Sequence, residues 1–361
     1  MTQYKELYRV NQLPVFQNHM YRTQHEAQNC VMGDMLLVQD MATGLIFNQA
    51  FKPELMQYNA GYQNEQAFST VFRAHLDQVT GIIERHFTGK TLIEVGCGKG
   101  YFLDHLRARS FKITGFDPTY EGMSSNIVKD LFTPAVGLNA DGIILRHVLE
   151  HVQDPVGFLR HIAASNGGSG KIYIEVPCIE WIREHYAWFD IFYEHVNYFR
   201  LADFARIFGK TYEAGYIFGG QYLYVVADIG SLGKSLDSPP EGFAFPRDFT
   251  GSVSRFARLL KASRESSRTR RVIVWGGASK GVIFSLFMQR AGVVIDFVVD
   301  INPAKQGKFL AATGIRVSAP EEALDQIGLD STVIAMNGNY LVEIREMTAN
   351  KFNYLTVDHE V

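Results

Sequence analysis

Two hydrophobic periodicities alternate along the middle of the chain, and they predict an α/β architecture. Short apolar runs, typical of buried strands, are separated by stretches in which apolar residues recur at three and four positions, as in helices. The predicted strands cover 91–95, 112–117, 126–132, 142–145 and 170–177, with a terminal hairpin at 216–218 and 222–227. A helix is also predicted over Tyr198–Phe208. Strands that alternate with helices in this way favour a doubly wound parallel sheet.

The pattern changes on both sides of this region. Near the N-terminus, 35–38 and 45–47 form two apolar runs around a turn at 42–44, which predicts a hairpin. A helical pattern follows, with apolar residues at Phe68, Val71, Phe72, Leu76, Val79, Ile82 and Ile83. After residue 231, three prolines indicate a linker, and a helix is predicted over 252–267.

A second α/β unit begins at Val272. A strand over 272–275 leads into the glycine turn 276–281, a helix and a strand over 297–300, and 331–338 and 354–359 supply later strands. A chain of 361 residues exceeds the ~250–300 at which one core stops growing. We therefore expect an N-terminal module with its lead-in helix (1–75), a middle domain (76–230), a linker and helix (231–270) and a Rossmann-like domain (271–361).

Composition narrows the classes of function. The formal net charge is −3 and there is no long run of one sign, so neither nucleic acid nor an anionic membrane is an expected partner. No apolar run approaches the ~18 residues of a membrane span. Cys30, Cys97 and Cys178 lie far apart and support neither a disulfide framework nor a metal site. We expect a soluble, cytoplasmic protein.

The stretch TLIEVGCGKG at 91–100 carries the first chemical signal. An apolar strand enters a turn with Gly96, Gly98 and Gly100, and a helix follows. Such a turn lets the backbone approach a nucleotide-like ligand at a helix N-terminus. A dinucleotide fingerprint has a different glycine spacing, and the carboxylate of Glu94 would repel a pyrophosphate, whereas it suits a ligand that bears a cation. Cys97 needs only to be small here, and no thiol chemistry is assigned to it.

This pattern resembles motif I of the class I S-adenosyl-L-methionine (SAM) methyltransferases. The resemblance implies that Asp117, which ends the next predicted strand, binds the ribose hydroxyls of SAM. It also places Asp130 and Leu131 near the adenine, although a surface aspartate before a loop would fit the sequence nearly as well. The alternative without a cofactor is a plain glycine turn beside a solvated aspartate.

Over nearly its whole length the chain resembles the sugar C-methyltransferases that act on nucleotide-linked keto-sugars. The marks of the resemblance are RHVLEH at 146–151 followed by Asp154-Pro155, FYEHVNYF at 192–199, GGASKG at 276–281 and DINPAKQGK at 300–308. The family combines a zinc-binding N-terminal module, a SAM domain and a Rossmann-like C-terminal domain. Here no paired cysteines flank GLIFN at 44–48, so we expect a zinc-free remnant. In addition, Phe192 stands where the best-known members have a tyrosine.

The same resemblance suggests residues for the chemistry. Methylation of carbon requires an enolate, which a base generates by removing a proton next to a carbonyl. His195 beside Glu194 is the first candidate base, with Glu194 as an acid or a contact to the acceptor's hydroxyls. His151 is a second acid/base candidate, and His147 competes with it. Tyr62 matches a family tyrosine that would cap the pocket, and Tyr193 is a candidate to replace the hydroxyl that Phe192 lacks. The structural alternatives are a satisfied histidine at a helix start for His195, a helix-face histidine for His151 and a packed loop tyrosine for Tyr62.

Other positions have weaker assignments. Lys280, Lys305 and Lys308 are candidates for contacts to the phosphates of a nucleotide-linked acceptor, with solvated lysines as the alternative. Trp181, Trp188 and Phe189 would wall the acceptor pocket or belong to the core. The sequence favours a SAM-dependent C-methyltransferase. It leaves open methylation of oxygen or nitrogen on another small metabolite, and a non-catalytic SAM-binding protein.

Overall fold

The computed structural model describes residues 4–56, 67–233, 236, 241–267 and 269–358, and their strands form three sheets. In chain order the strands are β1 (Tyr4–Pro14), β2 (Met32–Asp40), β3 (Ile46–Asn48), β4 (Thr91–Val95), β5 (Lys112–Phe116), β6 (Ile127–Val128), β7 (Gly142–Arg146), β8 (Lys171–Pro177), β9 (Asn197–Tyr198), β10 (Thr211–Ile217), β11 (Tyr222–Asp228), β12 (Val272–Trp275), β13 (Phe297–Val299), β14 (Val317–Ser318), β15 (Thr332–Ala335) and β16 (Asn353–Thr356).

The helices between them vary from five to 18 residues. They are α1 (Gln24–Gln28), α2 (Thr70–Phe87), α3 (Tyr101–Arg107), α4 (Pro155–Ser165), α5 (Ile179–Glu184), α6 (Leu201–Ile207), α7 (Gly251–Glu265), α8 (Ser279–Arg290), α9 (Pro320–Leu324) and α10 (Leu341–Met347). Short 3-10 helices include Leu149–His151 and Trp188–Asp190.

The N-terminal sheet has the antiparallel order β1-β2-β3-β9. The predicted hairpin is confirmed as β2 and β3. The long first strand was not predicted, because the exposed and buried positions of β1 do not alternate regularly. Leu13, Met35 and Leu37 are fully buried between the strands and neighbouring elements.

A strand from the middle of the chain completes this sheet, and it corrects one prediction. The helix expected over Tyr198–Phe208 begins only at Leu201, because Tyr198 lies in β9 and pairs with Ile46. The Tyr198 hydroxyl accepts a hydrogen bond from the backbone nitrogen of Phe192 and donates one to its carbonyl. The loop 192–196 is therefore anchored on the N-terminal sheet.

The middle sheet confirms the doubly wound α/β prediction. Its order is β10-β11-β8-β7-β4-β5-β6, parallel except for the antiparallel strand β11. The strand order reverses at β4, and ligands of open α/β sheets bind at the carboxyl ends of the strands near such a reversal. The predicted helix before β4 is confirmed as α2, which begins at the Ser69 cap and buries Leu76, Val79 and Ile83.

The C-terminal sheet is parallel, with the order β14-β13-β12-β15-β16, and confirms the second Rossmann-like unit. Strand β14 was not predicted, since two residues carry no periodicity. One continuous hydrophobic cluster includes Leu13 of β1, Ile93 of β4 and Val274 of β12, so buried residues of all three sheets meet in one core. Within the described part of the chain, no helix is long and apolar enough to cross a membrane.

Candidate active site

A cavity of about 390 Å³ lies where the three sheets meet. Its wall includes Asn18 from the N-terminal segment, the glycine turn after β4, the residues that follow β7, and the turn after β12. One side is closed by a contact between the middle and C-terminal units. Glu343 of α10 accepts hydrogen bonds from the Ser69 hydroxyl (2.5 Å) and from the backbone nitrogen of Thr70 (2.9 Å) at the start of α2.

The glycine turn has the backbone conformation that its sequence suggested. Gly96, Gly98 and Gly100 have φ angles of 73°, 56° and 83°, in the left-handed region that favours glycine. Gly96 and Gly98 line the cavity. A Cβ at Gly98 would meet no atom within 4 Å, so the turn presents open backbone to this space. Gly100 caps α3 and does not line the cavity.

Asp117 stabilises this turn through hydrogen bonds. One of its carboxylate oxygens accepts a hydrogen bond from the backbone nitrogen of Gly98 (2.8 Å), and the other accepts from the nitrogen and hydroxyl of Thr119 (2.8 and 2.7 Å). Asp117 is 8% exposed and lies outside the cavity lining, as do the exposed residues Asp130 and Leu131. The contacts of these three residues with the ribose and the adenine remain predictions.

Glu94, the second-last residue of β4, is part of the cavity wall. It is 3% exposed, and its Oε2 atom has no hydrogen-bond partner among the described residues. Burial raises the pKa of this carboxyl group to about 8, so it is mostly protonated at neutral pH. An orphaned buried carboxyl beside a glycine turn fits the α-ammonium group of SAM. Burial also raises the pKa of the Cys97 thiol, so this thiol stays protonated.

Glu175 of β8 is the centre of a hydrogen-bond network beside the site, and the sequence analysis missed it. This fully buried carboxylate accepts hydrogen bonds from Arg146, His147, His75 and Tyr173, at 2.9 to 3.3 Å. Burial opposes its ionisation, but these partners hold its pKa well below the usual range. A glutamate inside the apolar run KIYIEVP was the available signal, since such a residue is rarely buried without partners.

His147 connects this carboxylate to a second one. Its Nε2 atom is 3.0 Å from Glu175, and its Nδ1 atom is 3.2 Å from Glu150. Burial disfavours the charged ring, but the two carboxylates outweigh burial and raise the pKa of His147 to about 9. His147, the rival of His151 in the sequence analysis, is therefore a cation between two acids, and it also lines the cavity. It holds Glu150, which is 1% exposed, at the cavity wall.

The structure brings His151 and His195 together in this wall, with ring centroids 5.0 Å apart. His151 donates from Nδ1 to the backbone carbonyl of Glu194 (2.8 Å). The Glu194 carboxylate accepts from the backbone nitrogen of Gln17 at 3.1 Å. His195 packs on the ring of Phe192, with centroids 4.0 Å apart.

Of the two predicted tyrosines, one lies outside the cavity lining and the other lies outside the described residues. Tyr193 is fully buried outside the cavity lining, and its hydroxyl accepts from the backbone nitrogen of Lys52 at 2.8 Å. Its hydroxyl therefore does not occupy the place that Phe192 leaves. Tyr62 lies outside the described residues.

Two of the three lysines proposed for phosphate binding have acidic partners. Lys280 at the start of α8 pairs with Asp190 (3.1 Å), donates to Gln221 (2.8 Å) and lies over the ring of Trp181. Lys305 is 3% exposed and pairs with Asp300 at 3.3 Å. Both line the cavity, whereas Lys308 does not. Trp181, Trp188 and Phe189 are buried core residues outside the lining.

Donor atoms of Glu150, His151 and His195 lie within 4.8 Å of one another. Within the described ranges, this is the one cluster whose composition would suit a metal ion. We interpret it as an acid–base cluster, because both histidines line the cavity and the backbone contact of His151 leaves the lone pair of its Nε2 atom free.

Two family models match separate segments of the chain. Residues 64–212 match a methyltransferase domain, and residues 242–352 match a C-methyltransferase C-terminal domain. With the glycine turn and Glu94 in the cavity wall, these matches show that the chain is a SAM-dependent methyltransferase. More particularly, its second α/β unit is of the kind found in C-methyltransferases.

The similarity of the chain to solved structures is weaker than its similarity to these two family models. A SAM-dependent methyltransferase from Archaeoglobus fulgidus is 17% identical (TM-score 0.32, 44% of this chain and 100% of that chain). The PH0226 protein from Pyrococcus horikoshii OT3 is 10% identical (0.36, 48% and 99%), and the 1,6-didemethyltoxoflavin-N1-methyltransferase from Burkholderia thailandensis is 12% identical (0.33, 51% and 95%). These values carry no argument about the reaction. No curated protein matches the chain significantly.

Proposed function

We propose that the protein methylates a carbon atom of a nucleotide-linked keto-sugar. One observation carries this proposal: the two histidines lie in a single cavity, two of whose walls are the glycine turn after β4 (the first wall) and the C-methyltransferase-type C-terminal unit (the second wall). A methyl donor on the first wall and an acceptor on the second would meet at His151 and His195.

The residues of the first wall fit the donor. SAM, when bound, supplies an electrophilic methyl group. Gly98 would let the methionine part of SAM approach the backbone closely, and Glu94 would become ionised against the ammonium group of SAM. The cavity walls would align the reacting atoms, which is the main contribution that a protein makes to such a displacement.

The histidines fit the acceptor's chemistry. A histidine accepts the proton from the carbon next to the carbonyl group, and the C–H electron pair becomes the enolate. The family resemblance suggests His195 as this base, with His151 as the second acid/base residue. His195 is buried and His151 is partly buried, and shelter from bulk water strengthens hydrogen bonds to the developing oxyanion.

Residues of the second wall are the candidates for binding the nucleotide part of the acceptor. The first residues of α8, Ser279 to Gly281, line the cavity, so a helix N-terminus with its unpaired N–H groups borders it. Because Lys280 and Lys305 already pair with aspartates, a diphosphate would depend on these N–H groups or would have to displace Asp190 and Asp300.

The experiment is to incubate the protein with methyl-labelled SAM and a pool of nucleotide-linked keto-sugars, and to find the labelled product by mass spectrometry. A labelled nucleotide-sugar is expected. Label that appears only on another metabolite, attached to oxygen or nitrogen, would contradict the proposal. Phe192, which brings no hydroxyl to His195, is the observation that favours this second candidate function.

A further inference from the structure

Arg146, the last residue of β7, brings a cation into the cavity wall beside the glycine turn. We propose that the guanidinium group of Arg146 binds the α-carboxylate of SAM, next to the α-ammonium group at Glu94. This role concerns the methyl donor alone, and it does not depend on which acceptor receives the methyl group.

The register of the middle sheet places Arg146 close to Glu94. Glu94 pairs with Ile144 in the neighbouring parallel strand, and Arg146 stands two positions beyond Ile144. Side chains two positions apart project from the same face, so Glu94 and Arg146 share one face of adjacent strands, which are about 4.8 Å apart. The guanidinium group also lies over the ring of Phe102, 4.4 Å from its centroid, in the helix that follows the glycine turn. All three side chains line the cavity.

The contacts of Arg146 leave one edge of its guanidinium group available. Its Nε and Nη2 atoms donate to the two carboxylate oxygens of Glu175, at 3.1 and 3.3 Å. A guanidinium group has five N–H donors in a planar fork, and Nη1 has no hydrogen-bond partner in the described part of the chain. The pair with Glu175 fixes the plane of the fork. The edge formed by Nη1 and Nη2 can then donate to a second carboxylate.

SAM supplies a carboxylate at the required place. Its α-carboxylate is its one anionic group, and it is attached to the carbon that also bears the α-ammonium group. A site that binds the ammonium group at Glu94 must therefore accommodate a carboxylate beside it. An arginine fork matches a carboxylate through two parallel hydrogen bonds. Glu94 and Arg146 together complement the two charges of an amino acid.

The other lysine and histidine cations of the described cavity lining fit this carboxylate less well. Both ring nitrogens of His147 already contact carboxylates. Lys280 and Lys305 belong to the C-terminal unit and pair with aspartates. Lys99 lies in the glycine turn itself, but its side chain is exposed, and water weakens the attraction between exposed charges. Lys99 is therefore the rival that the test must separate from Arg146.

Decarboxylated SAM provides the test, because it keeps the ammonium and sulfonium groups and lacks the carboxylate. Isothermal titration calorimetry at one pH compares its affinity with that of SAM. The wild type should bind SAM ~10- to 100-fold more tightly, as expected for a charged, bidentate contact. Arg146→Met should bind both ligands with similar affinity. Arg146→Lys keeps the charge without the fork, so it should retain a smaller preference for SAM.

Three control variants separate recognition of the carboxylate from a structural effect. Glu94→Gln should weaken the binding of both ligands, because both carry the ammonium group, and should keep the preference for SAM. Tyr173→Phe removes a different donor to Glu175, outside the cavity lining, and should leave the preference unchanged. Lys99→Met should also leave it unchanged.

Equal binding of the two ligands by the wild type would overturn the proposal, and this comparison needs no variant. Equal weakening of both ligands in Arg146→Met and Arg146→Lys would overturn it as well, because Arg146 would then only support Glu175. Loss of the preference in Lys99→Met, but not in Arg146→Met, would overturn it in favour of Lys99. No acceptor takes part in these measurements. A methyl group found on oxygen or nitrogen would therefore refute the proposed function and leave the role of Arg146 standing.

Discussion

The affinity for SAM should depend on the protonation of Glu94. This side chain is 3% exposed, its Oε2 atom lacks a partner among the described residues, and burial raises its pKa to about 8. Without ligand, the carboxyl is therefore mostly neutral at pH 7. An ammonium group placed against it favours the ionised form, so binding of SAM must expel the proton.

The size of the effect follows from that pKa. One pH unit below the pKa, removing the proton costs about 1.4 kcal/mol, and two units below it costs about twice as much. The affinity for SAM should thus rise about tenfold per pH unit as the pH increases from 5.5 to 7. Glu94→Gln has nearly the same shape and cannot ionise, so its affinity should be lower at pH 7 and independent of pH over this range.

Isothermal titration calorimetry measures both consequences. In buffers with different ionisation enthalpies, the wild type should release about one proton per SAM bound at pH 7, because Glu94 is about 90% protonated beforehand. Glu94→Gln should release none. A wild-type affinity that stays constant between pH 5.5 and 7, without proton release, would refute the reasoning and remove Glu94 from the ammonium site.

Three further predictions concern the donor site and the metal content. Gly98→Ala and Gly89→Ala both place a methyl group at a positive φ angle with no atom within 4 Å, so each should lower the stability by about 1–2 kcal/mol. Calorimetry should show weaker SAM binding only for Gly98→Ala. Equal affinities of the two variants would contradict the placement of SAM on the turn. Asp117→Ala should weaken SAM binding by ~1.5–3 kcal/mol, since it removes a charged hydrogen-bond acceptor that also holds Gly98; an unchanged affinity would exclude this role. Chelator-washed protein should contain no stoichiometric zinc by elemental analysis; stoichiometric metal would point to ligands near Cys30 or to Glu150 and its neighbouring histidines.

Local signals made much of the fold predictable. The strand–glycine turn–helix units at 91–107 and 272–290 are encoded by neighbouring residues, and both occur as predicted. The SAM-dependent methyltransferase prediction is confirmed by the family models on the same segments. Strand β9 was missed because its two residues join a sheet whose other strands lie more than 140 positions earlier, a pairing that no local period encodes.

The polar network of the site was less accessible to sequence analysis. The partners of Glu175 come from α2, β7 and the residue after it, so only the folded chain brings them together. Lys280 stood at a glycine turn, where a phosphate contact was a reasonable hypothesis. Its pairing with Asp190 depends on the packing of α8 against the 3-10 helix Trp188–Asp190, which the sequence does not reveal.

The atom that receives the methyl group tests the central claim most directly. With ¹³C-methyl SAM as the donor, the product isolated from the nucleotide-sugar incubation is examined by ¹³C NMR for one-bond carbon–carbon coupling to the new methyl group. We predict a methyl group bonded to carbon in a nucleotide-linked sugar. A methyl group bonded to oxygen or nitrogen would contradict the enolate mechanism and the roles given to His151 and His195.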